Sequence, residues 1–253
     1  SAASDVYKRQ LLASMLMFLS AQIAAVELKI YSGGPFEAAF HELAKEYESQ
    51  SGHRLMIEYG TAPQLQKKLA DNAPGDLMLT ATNLMNRPEN QAKLIGTSMA
   101  FVGKGGVGIM VRKGSNISAM NTTQAFTNQV SQAERLIYNR ASTGLYMDQL
   151  FKRLGLSESL ESKTERFTNG DDAIQRVIRG SGREIGFAAI AEIKMNEPKG
   201  IMMLGSLPDE YQNYTSYSAA IMKSSAHPQE TQQFITFLQS EKVKAVFKRT
   251  GID

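Results

Sequence analysis

The chain has 253 residues and a formal net charge of +3, with 42% hydrophobic and 21% charged residues, a profile of a folded globular protein with room for one large domain or two small ones. Its lysines and arginines are scattered rather than clustered, so a nucleic-acid surface is not indicated. It has no cysteine, which excludes disulfides, thiol catalysis, cysteine-ligated metals and a lipidated N-terminal cysteine.

Lys8-Arg9 precedes a mostly apolar run from Leu11 to Ile23 that ends in Ala24 and Ala25. Charged, apolar and small-residue parts in this order form a secretory signal peptide, with cleavage expected after Ala24 or Ala25. The run falls short of the ~20 apolar residues of a membrane span. Residues 1–25 are set apart on this ground, and residues 1–10 have a non-native look.

Leu28, Ile30 and Tyr31 make a short strand-forming run that breaks at Ser32-Gly33-Gly34-Pro35, after which Phe36, Phe40, Leu43 and Tyr47 recur at helical spacing. Glycines allow a close approach to backbone, proline suits a first helical position, and free amides at a helix start suit an anion. An ordinary strand-to-helix turn explains this stretch alone equally well. The helix is expected from Pro35 to about Gln50, stopping at Ser51-Gly52.

A second strand is expected over Arg54–Tyr59, running into Gly60-Thr61-Ala62-Pro63 and another helix with Leu65 and Leu69. Two such turns face each other only if their strands are parallel, which places both helix starts at the carboxyl end of a sheet. Asp76, in the turn before the buried strand around Leu77–Ala81, reads better as a turn-capping carboxylate than as a ligand. Val107–Val111 is an apolar strand between glycine pairs, where the chain crosses into another lobe.

Leu136-Ile137-Tyr138 leads into Asn139-Arg140-Ala141-Ser142-Thr143-Gly144 and a helix with Leu145, Leu150 and Leu154. A fourth turn of this kind lies at Thr168-Asn169-Gly170-Asp171-Asp172, whose aspartates suit the helix dipole and are expected to point away from an anion. Ile185–Ala189 is a further buried strand, Tyr214–Met222 an extended segment, and Pro228–Lys248 helical without a strand of its own. The class expected is α/β with two lobes, residues 26–105 plus 217–253 and residues 106–216, the chain crossing near 105 and 216.

The stretches IYSGGPFEAAF, YGTAPQLQKKLADNAPGDLMLTA, VGIMVRKG, ASTGLYMDQLFKRLGL and FLQSEKVKAVFKRTGI, in this order, resemble the molybdate-binding proteins, a branch of the type 2 periplasmic solute-binding proteins of ABC importers. The resemblance covers residues 26–253. It implies a two-lobed periplasmic binding fold with two crossover hinge strands and an oxyanion held between the lobes by hydroxyls and helix-start amides. The matching positions are Ser32, Gly33, Thr61, Thr143 and Gly170; Ser142 and Arg140 join them from the third turn.

The implied function is capture of a molybdate- or tungstate-like anion in the periplasm and delivery to a membrane permease, by a monomer without a cofactor or a cationic metal. Where those proteins usually carry a tyrosine this chain has Ala189, and Arg140 has no counterpart in their pattern. A guanidinium matches a carboxylate as well as a phosphate, so a small organic carboxylate is the alternative ligand, and a surface arginine is an equal reading of Arg140. A ligand sensor or a hydrolase is less favoured, because His41, His53 and His227 share no spacing with Ser32 or Asp76 that implies a joint catalytic site, and no catalytic motif is present. No catalytic residue is assigned.

Overall fold

The computed structural model describes residues 25–253, so the signal-peptide expectation and the odd start, over residues 1–24, lie outside the described residues. The strands are β1 (Glu27–Gly33), β2 (Arg54–Gly60), β3 (Leu77–Ala81), β4 (Ala100–Arg112), β5 (Arg135–Asn139), β6 (Thr164–Phe167), β7 (Glu184–Ala189), β8 (Ile201–Ser206) and β9 (Tyr214–Ile221). The helices are α1 (Glu37–Ser51), α2 (Ala62–Ala70), α3 (Thr82–Met85), α4 (Pro88–Gln91), α5 (Thr123–Gln132), α6 (Ser142–Arg153), α7 (Ser157–Glu161), α8 (Gly170–Ile178), α9 (Ile190–Asn196), α10 (Pro228–Leu238) and α11 (Glu241–Thr250).

β1 lies between β2 and β3 and runs parallel to both, with Gly33 opposite Gly60. That register brings the first two strand-to-helix turns side by side, as the repeated sequence pattern requires. β5 runs parallel to β6 and β7, with Asn139 opposite Phe167, so the third and fourth turns are neighbours in the same way. β4 and β9 join the two groups. The first half of β4 pairs antiparallel with β9 through Gly106–Tyr214, and the second half pairs with β7 and β8. The result is the two-lobed α/β fold expected, with these two long strands passing between the halves.

Each half has its own apolar core. Leu28, Ile30, Phe36, Phe40 and Leu79 pack with Phe234, Leu238, Val246 and Phe247, so α10 and α11 return to the half that holds β1. Phe36 meets Phe247 edge-on at 5.3 Å and Tyr217 of β9 at 5.1 Å, spacings at which aromatic rings attract beyond their area burial. The other half is centred on Phe126, Tyr138, Phe151 and Phe187. The Asp76 carboxylate accepts from the Lys29 amide at 2.8 Å and the Ser225 hydroxyl at 2.7 Å, which ties β1 to the chain after β9; its side-chain bonds cross to other segments rather than capping its own turn.

Candidate functional site

The carboxyl ends of β1, β2, β3, β5 and β7 open onto one cavity of about 520 Å³ lined by residues of both halves. Gly33 and Gly34 lead through one turn of 3-10 helix into α1, and Thr61 caps α2. The Gln64 side chain reaches back to the Thr61 amide at 2.7 Å and accepts the Thr61 hydroxyl at 3.0 Å, which fixes the entry of the chain into α2. From the other half, the buried Asn139 side chain accepts from the amides of Ala141 and Gly144 at 3.0 and 3.4 Å. It thereby holds the start of α6, where the amides of Ser142 and Thr143 have no intrahelical acceptor in reach. Asn169 caps α8 by accepting from the Asp172 amide at 2.8 Å.

Of the residues expected from the sequence, Gly33, Thr61, Ser142, Thr143 and Gly170 all line this cavity. Ser32 and Arg140 are not among its lining residues. Ser32 is fully buried inside β1, and its hydroxyl donates to the Gly33 carbonyl at 3.2 Å. Arg140 is exposed, and its amide bonds the Phe167 carbonyl at 2.7 Å, which pins the turn while the side chain is left to solvent. Asp172 turns to Asn169 at 2.9 Å as expected, whereas Asp171 lines the cavity.

The cavity is more acidic than an anion site built only of hydroxyls and amides. Glu37, Asp171 and Glu192 line it, with Lys199 as its cationic residue. A Cβ placed on Gly34 would lie 3.0 Å from Glu192 Oε1, and one on Gly170 2.7 Å from Oε2. The two glycines therefore leave room for a carboxyl group lodged between a turn of one half and a helix start of the other. Loss of water around it pushes the Glu192 carboxyl up to about 7; the charges of Glu37 and Asp171 act in the same direction, against a hydrogen bond with the Ala189 backbone. The buried Tyr217 hydroxyl is pushed up by desolvation first and by Glu192 second. Burial also raises Tyr59, beside Glu37. Among the described residues no group of three or more histidine, cysteine or acidic side chains is placed to hold a metal ion.

The family model of bacterial extracellular solute-binding proteins matches residues 28–253. The chain belongs to that family. This solute-binding protein is 26% identical over 231 residues to an aconitate isomerase of a Pseudomonas species, covering 89% of this chain and 87% of the relative. It is 24% identical over 242 residues to the molybdate-binding protein ModA of Azotobacter vinelandii, covering 93% and 92%. The periplasmic molybdate-binding protein of Azotobacter vinelandii superposes with a TM-score of 0.73 at 21% identity over 89% of this chain and 98% of that one. The type 2 fold and the likeness to molybdate-binding proteins expected from the sequence are thus borne out.

Several lining residues of the solute-binding protein escaped sequence reasoning: Tyr59, Thr80, Asn139, Glu192, Asn196 and Tyr217. Tyr59 sits at a strand end beside a turn already singled out, and Thr80 near the end of β3, which runs straight into a helix at Thr82; strand-end position was the signal available for both. Glu192 and Asn196 lie on α9, a seven-residue helix that follows β7 without a break, so no glycine or proline marks its start.

Proposed function

We propose that this chain is the solute-binding component of an ABC importer, which captures a small anion between its lobes in the periplasm and hands it to a membrane permease. The lobes would comprise residues 26–105 plus 217–253 and residues 106–216, acting as a monomer after removal of a signal peptide. One observation carries the reading: turns from four strands in two halves of the molecule bring Gly33, Thr61, Ser142, Thr143 and Gly170 to one cavity. Helix-start amides and hydroxyls supply the donors that a buried anion needs. Closure about β4 and β9 would bring the halves together and expel water.

Thermal-shift screening tests this directly, since a ligand at a hundredfold excess over Kd stabilises the folded state by about 2.7 kcal/mol. Stabilisation by at least one anion, reduced in Thr143→Val, is expected; no shift with any oxyanion or organic acid defeats the reading. A second reading is favoured by Glu192. A carboxyl poised near 7 in a cleft suits proton transfer at carbon, and one relative is named an aconitate isomerase. Uptake of solvent deuterium into trans-aconitate at a rate that Glu192→Gln abolishes would favour isomerisation over transport.

A further inference from the structure

The cavity at the four turns has a neighbour. A second cavity of about 480 Å³ lies beside it, and Ala62, Ala81, Ala141 and Ser142 line both. Ala62 and Ser142 are the first residues of α2 and α6, and no residue of this shared wall has a side chain longer than a hydroxymethyl group. The helix starts that serve the first cavity are thus open to the second. Charge divides the two. The first carries Glu37, Asp171 and Glu192 against Lys199, whereas the second carries Arg87 and no acidic side chain. Lys104 adds positive charge there, its Nζ 4.7 Å from the centre of the Tyr214 ring in the second wall. That wall also holds apolar surface. Leu145 of α6 and Tyr214 of β9, two of the four large apolar side chains left exposed among the described residues, both belong to it; exposed apolar surface gathered in a cleft marks a ligand groove.

We propose that the two cavities are chambers of one cleft and that the solute is an elongated organic dianion of the α,ω-dicarboxylate class. One carboxylate sits at the helix starts shared by both chambers, the apolar middle lies against Leu145 and Tyr214, and the second carboxylate meets Arg87. This rests on the anion-capture reading and names the solute class for it. Arg87 is set by its backbone, whose carbonyl accepts from the Asn90 and Gln91 amides at 2.9 Å at the start of α4. Its Nη1 donates to Gln66 Oε1 of α2 at 2.7 Å, and it pairs with no carboxylate among the described residues. Nε and Nη2 remain for a carboxylate, which the guanidinium fork matches. Electrostatics directs the solute this way. A second carboxylate in the first chamber would face Glu37, Asp171 and Glu192; in the second it meets Arg87, with Lys104 behind Tyr214. Each chamber, of about 520 and 480 Å³, is of organic-ligand size, and a tetrahedral oxyanion fills neither.

Titration calorimetry of the intact protein at neutral pH with succinate, adipate, pimelate, hexanoate, molybdate and sulfate tests the assignment. Adipate or pimelate is expected to bind more tightly than molybdate and sulfate. The better of the two should also bind about fivefold or more tightly than hexanoate, which lacks the second carboxylate, and than succinate, whose carboxylates are closer together. Arg87→Gln, at an exposed position, should cut the affinity for that dicarboxylate about fivefold and leave hexanoate and sulfate within about twofold. Tightest binding of molybdate, sulfate or succinate, or hexanoate matching adipate and pimelate, overturns the inference and leaves anion capture standing. So does an unchanged dicarboxylate affinity in folded Arg87→Gln, or an equal loss for sulfate, which would mark a general field rather than a contact. Should that variant not fold, the wild-type comparison with hexanoate decides. If none of the six binds wild type, the inference falls, and the wider thermal-shift screen decides anion capture separately.

Discussion

Because Glu192 is lodged between the two halves, its ionisation should be visible in stability without any ligand. The folded chain keeps the proton up to about pH 7, against an ordinary value of 4.5. Between these values the folded state binds more protons than the unfolded one, so this group's contribution is fully present below pH 4.5 and is lost as pH rises through 7. At about 1.4 kcal/mol per pH unit of separation, the loss reaches a ceiling of about 3 kcal/mol by pH 8. Urea unfolding of wild type and Glu192→Gln at pH 5, 6, 7 and 8 isolates the effect, because the histidines and other carboxyls titrate in both proteins. The wild-type stability should fall relative to the variant by about 2–3 kcal/mol from pH 5 to pH 8. A difference between the two that stays constant within about 0.5 kcal/mol across that range would mean that water reaches the carboxyl freely and that it is not desolvated between the halves.

Other perturbations separate the cavity from its scaffold. Gly144→Ala would put a methyl group 1.6 Å from the Asn139 carbonyl oxygen, which as backbone cannot step aside; a loss near 3 kcal/mol by urea unfolding is expected, the upper end for overpacking. Asn139→Ala removes the acceptor of the Ala141 and Gly144 amides and should destabilise by about 1–3 kcal/mol while also weakening anion binding. Thr143→Val should weaken binding by about 1–2 kcal/mol with little change in melting temperature, as for a lost hydrogen bond to a charged group. Ser32→Ala and Arg140→Ala should leave affinity within twofold in the same calorimetric assay, since neither residue is among those lining the cavity; a tenfold loss in either would return that residue to the site.

The fold was legible because its message is repeated. Four times a strand ends in glycine or small polar residues and a helix begins, and pairs of such turns can meet only at one end of parallel strands. The registers Gly33–Gly60 and Asn139–Phe167 realise that geometry. Elements without such punctuation were not read. β8 carries largely half-buried residues with no clean alternation, α9 continues from β7 without a turn residue, and β6, half-buried throughout, was legible only through the turn that follows it. Within the site, residue type located the turns but not the direction of individual side chains. Ser32 belongs to the strand rather than to the turn, and the period-two alternation of β1 carries its side chain into the packed interior. Of the two adjacent aspartates in the first turn of α8, Asp172 faces the cap and Asp171 the cavity, a difference of about 100° around the helix that spacing alone does not assign to a ligand.

What a sequence reading of donors misses is the chemistry that opposes them. Hydroxyls and glycines at helix starts announce an anion, and a ligand with acceptors alone would satisfy them. Glu192 arrives from a helix that packs against the turn of the opposite half, so it enters the cavity only after both halves have folded and met. Removing Lys199 would take away the cavity's cationic side chain and leave the three carboxyls. Lys199 is exposed, so Lys199→Met should weaken binding of an anion by only a few fold, because the turn amides and hydroxyls still hold it; complete loss of binding by titration calorimetry would mean that the lysine closes over the ligand.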